Sequence, residues 1–357
     1  MFGLLRKNKA MLGIDISATA VKLIELSQGS GSPTDLYRVE SFAVEPLPTN
    51  AVVEQRIADP EAVGQCIQRA VQRCGTKTKR AAVAVSGSAV ITKVISMSAG
   101  LTDAEMENQI QLEADQYIPY PLEEVNIDFD VLGTSQTSPD MVDVLLAASR
   151  RENVDDHVSA LEVAGLTAGV VDVEAYAMEN ACSLILGGHG EAVTARTVAV
   201  ADVGSATTTL HVLHEGQVVY TREQNFGGQQ LIDEVQRRYS LPRDLAAQKV
   251  VEGDVAEDYD AEVLGPFKEA LAQQIGRALQ FFYSGSTFNR VDQLILAGGT
   301  ASIVKIDELV EDRLELPTTA ANPFAQMSFS PRVDAKELLR NASGMMVAVG
   351  LALRGFD

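Results

Sequence analysis

The sequence predicts a two-lobed α/β protein, because the same unit opens each half of the chain. An apolar strand that ends in Asp15 is followed by a turn of small and hydroxyl residues and by a second strand, and this order recurs around Asp202. When the two aspartates are superposed, Leu23 aligns with Leu210. The repeat spans about half of the 357 residues, which is too long for a solenoid. A chain of this length is also expected to form at least two domains.

Composition limits the class of partner and the compartment. The net charge of −20 argues against nucleic acid or an anionic membrane surface as the main partner. The three cysteines never form a CxxC pair, which is typical of a reducing cytoplasm and not of a disulfide framework or a structural zinc site. No segment approaches the roughly 20 apolar residues of a membrane helix, and Asp15 interrupts the apolar stretch that a signal peptide needs. We therefore expect a cytoplasmic protein.

The first lobe is predicted to comprise residues 1–80 and 166–190. Apolar residues recur at helical spacing after Asp59, which is a good helix start, and Gly75 is a good stop. The predicted elements are the Asp15 hairpin, a strand at 37–44, a helix at 60–74, a strand at 168–173 and a helix at 174–186.

Residues 81–165 are predicted to form a small α+β subdomain inserted into the first lobe. Thr102 and Glu105 have the spacing of a capping box, which predicts a helix start. The predicted elements are strands at 82–85 and 90–97 that pair through a turn at 86–88, a helix at 102–117, strands at 125–132 and 141–148, and a helix at 153–164.

The second lobe is predicted to comprise residues 191–228 and 290–357, with a helical subdomain at 229–289 and a glycine-rich linker before it at 187–190. Its predicted elements are the Asp202 hairpin, helices at 229–239, 243–251 and 266–283, a strand at 293–297 and a last helix at 342–354.

Three segments carry the chemistry. Two Asp-containing hairpins that face each other across a cleft would offer backbone N–H groups to phosphates and their carboxylates to a hydrated Mg²⁺ between them. Gly204 lets the backbone approach a phosphate closely. The first copy has Ser17 at that position, and the sequence does not decide whether this serine weakens phosphate binding by the first loop. Lys22 can reach a phosphate as a point charge. The third segment, Gly298 and Gly299, follows a strand and allows a flat base to lie on the backbone.

Other nucleotide and hydrolase signatures are absent from the sequence. There is no GxxxxGK[ST] segment, which excludes a P-loop, and no Gly-x-Ser-x-Gly elbow, HExxH motif or kinase signature set.

The order of the three segments resembles the actin-like ATPase superfamily over essentially the whole chain. That superfamily includes actin, the large heat-shock chaperones, sugar kinases and the cell-division protein FtsA. Residues 12–26 and 198–213 look like its two phosphate loops, 172–177 and 343–353 like its connecting segments, and 294–301 like its adenosine motif.

Within the superfamily, two segments are similar to the PilM family of type IV pilus assembly. These are residues 112–123, with the sequence LEADQYIPYPLE, and residues 227–233, with the sequence GGQQLID. The resemblance implies a two-lobed actin-like ATPase fold with duplicated ribonuclease-H-like cores and an inserted subdomain of the FtsA and PilM type.

The resemblance also implies ATP and Mg²⁺ between the lobes. Asp15 and Asp202 would hold the hydrated metal, with Glu174 near its water shell. The residues expected to face phosphates are Ser17, Ala18, Thr19, Lys22, Gly204, Ser205, Ala206 and Thr207. Those expected at the adenosine are Gly298, Gly299 and Thr300, flanked by Gln274 and Arg277.

The partner that the resemblance implies is the cytoplasmic N-terminal tail of PilN, docked in a groove between the first lobe and its insert. The protein would then be an ATP-binding scaffold at the inner membrane, held there through its partner. Two alternatives stay open: an ATPase or small-molecule kinase of the same fold, and a filament-forming cytoskeletal protein. A kinase needs a base for the substrate hydroxyl, and no matching substrate segment is found.

Overall fold

Two sheets of the same topology organise the molecule. The computed structural model describes residues 10–32, 35–135, 138–187 and 196–356, so most of the predicted linker at 187–190 and the predicted lobe boundary after residue 190 lie outside the described residues. The strands are β1 (Leu12–Ile16), β2 (Ala20–Ser32), β3 (Asp35–Pro46), β4 (Val52–Val53), β5 (Arg56–Ile57), β6 (Arg80–Val85), β7 (Val90–Ser98), β8 (Val125–Thr134), β9 (Met141–Arg150), β10 (Thr167–Val173), β11 (Thr197–Val203), β12 (Thr208–His214), β13 (Gln217–Gln224), β14 (Gln293–Ala297), β15 (Thr318–Ala320) and β16 (Met327–Phe329).

The helices cover the faces of these sheets. They are α1 (Pro60–Cys74), α2 (Asp103–Glu113), α3 (Arg151–Val163), α4 (Glu174–Leu186), α5 (Gly228–Tyr239), α6 (Arg243–Glu252), α7 (Gly265–Gly285), α8 (Ile306–Leu314), α9 (Ala335–Arg340) and α10 (Met346–Leu353). Asp59 caps α1 by accepting a hydrogen bond from Ala62 N, and Gly75 ends it in the left-handed conformation. No helix in the described ranges is both long and apolar enough to cross a membrane.

The sheet topology shows that the repeat extends beyond the two hairpins. The first sheet has the strand order β10-β6-β1-β2-β3-β16, and the second has the order β13-β12-β11-β14-β15. In both, three antiparallel strands are followed by two strands that run parallel to the first. Asp15 lies opposite Lys22 in the first hairpin, and Asp202 lies opposite Thr209 in the second. Each half of the chain therefore builds the same five-stranded core.

The insert forms a third sheet with the order β7-β9-β8, which α2 covers. The capping box at Thr102 is confirmed, because its side chain accepts from Glu105 N and the Glu105 side chain accepts from Thr102 N. The predicted pairing of strands 82–85 and 90–97 is wrong. β6 lies between β1 and β10 in the first sheet, whereas β7 pairs with β9. The almost continuous burial of β6 fits a central parallel strand, and the exposed face of β7 fits an edge.

Two further segments lie away from their predicted units. Ala160 and Leu161 of α3 are packed in the core of the first sheet, although residues 81–165 were all expected in the insert. Within 290–357, expected wholly in the second lobe, β16 pairs with β3 of the first sheet and α10 packs against β1. The reason is that α10 is apolar on all sides: every one of its residues is buried, so the helix has to lie between other layers of the structure.

A shared core joins the two halves at α4 and α10. It contains Met11 and Ile24 of the first half together with Val200 and Ile295 of the second. Close approach of the two helices requires glycine, because a Cβ on Gly350 would lie 1.7 Å from the Ala177 carbonyl oxygen. Similarly, a Cβ on Gly13 would lie 2.0 Å from the Ala348 carbonyl oxygen. The first sheet, α10 and α4 are therefore stacked at backbone contact distance.

We expect Gly350→Ala to destabilise the protein by about 1–3 kcal/mol, because the added methyl group must push α4 and α10 apart. Differential scanning calorimetry of the two proteins measures the effect. Gly285→Ala is the matched control, since a Cβ there would meet no atom within 4 Å. A melting temperature of the Gly350 variant equal to that of the control would show that the helix contact is not tight.

Candidate functional site

The two Asp-containing turns close in the same way. Ser17 N donates to the Ala20 carbonyl over 3.0 Å, and at the equivalent position Gly204 N donates to the Thr207 carbonyl over 2.9 Å. The Ser17 hydroxyl adds a second hydrogen bond to the Ala20 carbonyl at 2.8 Å. Serine in place of glycine therefore keeps the turn of the first copy.

Backbone donors are left free at both turns. Among the described residues, no protein atom accepts a hydrogen bond from the N–H groups of Ala18, Thr19, Ser205, Ala206 or Thr207. Ala18, Thr19 and Ala206 are exposed at the tips. Successive free N–H groups in a tight turn form a concave site for an anion.

The carbonyl groups of the second turn are bound on the opposite side by its own lobe. Gly228 N donates to the Gly204 carbonyl over 3.0 Å, and Gln229 N donates to the Ser205 carbonyl over 2.7 Å. Gly227 must be glycine, since a Cβ there would lie 2.6 Å from both carbonyl oxygens. The start of the 227–233 segment, residues 227–229, therefore holds the second turn, a role that the sequence did not predict for it.

The third segment lies beside Asp202. Gly298 has φ +87°, and a Cβ on it would lie 2.5 Å from Asp202 Oδ1. The Thr300 hydroxyl donates to the Gly204 carbonyl over 2.9 Å, which ties this segment to the second turn. Gly299 is exposed, with no atom within 4 Å of a built Cβ. Gly298, Thr300 and the second turn are thus one connected structure.

Three carboxyl groups surround one lysine where the two halves meet. Lys22 Nζ lies 2.8 Å from Asp15 Oδ2, and both side chains are largely buried. Glu174 is the first residue of α4. Burial by itself would lower the pKa of Lys22, but the charge and hydrogen bond of Asp15 and the charges of Asp202 and Glu174 outweigh it and raise the pKa.

The carboxyl groups repel one another. Burial raises the pKa of Glu174 to about 8, and the charges of Asp15 and Asp202 add to this rise. Burial also raises the pKa of Asp202 to about 6, although Lys22 opposes the change. One ammonium group therefore does not neutralise the cluster, and an added cation would be stabilised there.

The geometry limits how a cation can bind. Within the described part of the chain, no three His, Cys, Asp or Glu side chains converge closely enough to hold a metal ion. Asp15 and Asp202 would therefore contact Mg²⁺ through its water molecules, which Mg²⁺ gives up reluctantly. The residues fit such an ion in charge and in type of donor.

Gln274 and Arg277 are not joined to this cluster. The Gln274 carbonyl accepts from Gln224 Nε2 over 3.2 Å, and the exposed Arg277 donates to the Gln273 carbonyl of its own helix. In the portion of the chain described here, neither side chain forms a hydrogen bond with the two turns or with Gly298. Their place at a base and ribose stays a prediction.

Sequence reasoning missed one residue of the cleft, Gln55. It lies at the tip of the β4–β5 hairpin, and its Nε2 donates to the Thr207 hydroxyl over 3.3 Å. Its Oε1 accepts from the Ser86 hydroxyl. No glycine or asparagine marks this turn in the sequence, so nothing in the local pattern could have revealed it.

A cavity of about 470 Å³ adjoins the cluster, between the insert, the start of α4 and the second sheet. Two edge strands line it, β7 of the insert and β13 of the second sheet. Its wall includes Glu174, so the cavity and the carboxyl cluster share a residue. Other lining residues are Thr92, Val94, Tyr176, His211 and Tyr220.

The raised pKa of Glu174 predicts a pH dependence of stability. Between about pH 4.5 and 8 the native carboxyl holds a proton that the unfolded chain has lost, so stability falls as the pH rises through this window. We expect the melting temperature, measured in EDTA, to fall less steeply for Glu174→Gln than for the unaltered protein. Glu107→Gln, at an exposed position of α2, is the control. Parallel curves for all three proteins would contradict the burial of this charge.

Known proteins are similar to this chain over nearly its whole length. A family model described as type IV pilus assembly protein PilM matches residues 13–356. The solved PilM-PilN type IV pilus biogenesis complex is similar at 28% identity and a TM-score of 0.79, over 97% of this chain and 98% of that chain. The ethanolamine utilization protein EutJ from Carboxydothermus hydrogenoformans is similar in fold, at 15% identity and a TM-score of 0.56, over 96% of this chain and 89% of that one. The fold is the actin-like ATPase fold, and the chain belongs to the family of the type IV pilus assembly protein PilM.

Proposed function

We propose that the protein binds ATP with Mg²⁺ between its lobes and serves as a cytoplasmic scaffold of type IV pilus assembly, held at the inner membrane by the N-terminal tail of PilN. The observation that carries the nucleotide part is the pair of equivalent turns whose free N–H groups flank a buried carboxyl cluster. The family of the chain supports the pilus part.

Phosphates are the anions that suit the two turns. Ser205, Ala206 and Thr207 offer successive N–H donors on one side, and Ala18 and Thr19 offer theirs on the other. Because a triphosphate carries several negative charges and lies next to the carboxylates of Asp15 and Asp202, binding needs added positive charge. Lys22 supplies one positive charge, and a hydrated Mg²⁺ would supply more when bound.

The adenosine belongs on the second lobe. Gly298 and Thr300 hold their segment against the second turn, and exposed Gly299 leaves a bare stretch of backbone. A flat base can approach such a surface closely because no side chain intervenes. Gln274 and Arg277 remain candidates to flank the base and ribose.

The partner groove was expected between the first lobe and its insert. We place the partner site in the cavity lined by the insert and by the start of α4, which the second sheet also borders. The similar solved structure is a PilM-PilN complex, and we carry this partner over to the present chain. In the described ranges β7 and β13 each have one side free of strand pairing, and residues of both strands line the cavity. An extended peptide could add to either edge by main-chain hydrogen bonds. Exposed Val94 and Val219 would receive its apolar side chains.

A second candidate function is ATP hydrolysis, which Glu174 favours. Its carboxyl belongs to the carboxyl cluster, and burial raises its pKa to about 8. Once it has lost its proton, near and above pH 8, it can accept a proton from an attacking water. Measurement of phosphate release at saturating Mg-ATP distinguishes turnover from binding alone.

Lys22→Met is expected to weaken Mg-ATP binding by about tenfold or more, because a charged hydrogen-bond donor to phosphate is lost. Isothermal titration calorimetry gives the affinity, and the melting temperature shows whether the variant folds. Lys305→Met removes an equal charge from an exposed position on the second lobe. Equal affinities for the two variants would place the phosphates elsewhere.

Val94→Asp is expected to weaken binding of a labelled N-terminal PilN peptide by about tenfold, because a charge would be buried against the peptide. Fluorescence anisotropy measures the affinity. Val251→Asp makes the same change at a side chain that is 86% exposed, outside the cavity lining. If both variants bind the peptide like the unaltered protein, the cavity is not the partner site.

A further inference from the structure

The Gln55 side chain joins three parts of the molecule that are distant in sequence. It stands on the β4–β5 hairpin of the first lobe and donates to Thr207 in the turn of the second lobe. Its carbonyl oxygen accepts from Ser86, which follows β6 where the chain leaves the first sheet for the insert. Through Gln55, the second turn and the base of the insert thus share one hydrogen-bonded amide.

The hairpin presents this side chain at a conformational cost. Glu54 and Gln55 form a two-residue turn with φ +48° and +61°, in which asparagine and glycine are the favoured residues. Glutamate and glutamine both carry a Cβ, which makes a positive φ unfavourable for them. The contacts that Gln55 makes must therefore offset the strain, and the hydrogen bonds to Thr207 and Ser86 are the contacts that the structure provides.

The base of the insert is tied to the same point. Ser86 is 5% exposed, and its hydroxyl also lies 3.1 Å from that of Ser88. Residues 86–88 and the strand β7 line the cavity proposed for the partner. A change at Ser86 is therefore transmitted directly into the wall of that cavity.

A phosphate at the second turn would change the partners of Gln55. The turn offers free N–H groups at 205–207, and Gln55 Nε2 already reaches the last of these residues. A charged phosphate oxygen is a stronger acceptor for an amide N–H than the Thr207 hydroxyl. The amide nitrogen carries two N–H bonds, and the one to Thr207 is long at 3.3 Å. A second N–H bond to a phosphate at the same turn would draw the side chain toward the turn and away from Ser86.

We propose that Gln55 is the residue that senses the terminal phosphate and passes its presence to the insert. It donates to Thr207 when that phosphate is absent and to the phosphate when it is present, and the change displaces Ser86. This inference rests on the proposed nucleotide site, and it adds the residue and the route by which nucleotide acts on the partner cavity.

The test is hydrogen–deuterium exchange of residues 86–98 in the full chain, with Mg-ADP or with the non-hydrolysable triphosphate Mg-AMPPNP bound. We expect exchange to differ between the two nucleotides by about fivefold or more, the size of an ordinary coupling. Gln55→Ala should abolish the difference when the variant is saturated with each nucleotide in turn. Gln65→Ala is the matched control, because Gln65 bonds only to Glu61 of its own helix among the described residues.

A second variant covers the case in which Gln55→Ala does not fold. Gln55→Glu keeps an acceptor for Ser86 but loses the N–H donor, so it too should abolish the difference. If either folded variant keeps the nucleotide-dependent difference, the inference is overturned. It is also overturned if the unaltered protein binds both nucleotides without a difference at 86–98, and the proposed nucleotide site then stands. Absence of binding to either nucleotide would overturn the site and the inference together.

Discussion

Close packing of α4 against α10 is the constraint on which the rest of the structure depends. Gly350 lies against the Ala177 carbonyl, and Gly13 brings the first sheet equally close to α10. The two helices form one core with residues of both sheets, so the halves of the chain cannot be placed independently. This packing also fixes the start of α4, and with it Glu174, between the two Asp-containing turns. Small residues in the joining helices therefore determine where the charges of the site meet.

The site combines two features that the fold produces twice. In each half, the next-to-last residue of the first strand is an aspartate, and the turn that follows leaves N–H groups free. A carboxylate next to free donors is unfavourable for an anion alone, but it suits an anion that arrives with a divalent cation. The raised pKa of Glu174 reflects an excess of negative charge in the cluster, because burial and the neighbouring carboxylates both disfavour its charged form. The carboxyl cluster is thus short of positive charge, which Mg²⁺ would supply.

Local pattern predicted the parts of this fold that depend on local interactions. The sequence predicted the duplicated turns, the capping box at Thr102 and the helix stop at Gly75, because each depends on residues close in sequence. The position of β6 was not, since an apolar strand can be central in one sheet or paired in another. Residues 343–353 were compared to a connecting segment, but all of 290–357 was expected in the second lobe. Burial of α10 on all sides does not say which sheets enclose it. Gln55 escaped notice because its role comes from contacts with Ser86 and Thr207, far away in sequence.

The most direct measurement is the identity of any nucleotide released when the freshly purified protein is denatured. A second, native sample, freed of nucleotide by dialysis, is titrated with Mg-ATP. The account predicts adenine nucleotide in the released fraction, or saturable Mg-ATP binding that requires Mg²⁺. Recovery of intact ATP would mean tight binding with little hydrolysis, and recovery of ADP would favour turnover at Glu174. A protein that releases no nucleotide and binds no Mg-ATP would contradict the nucleotide site and leave partner binding as the function of the fold.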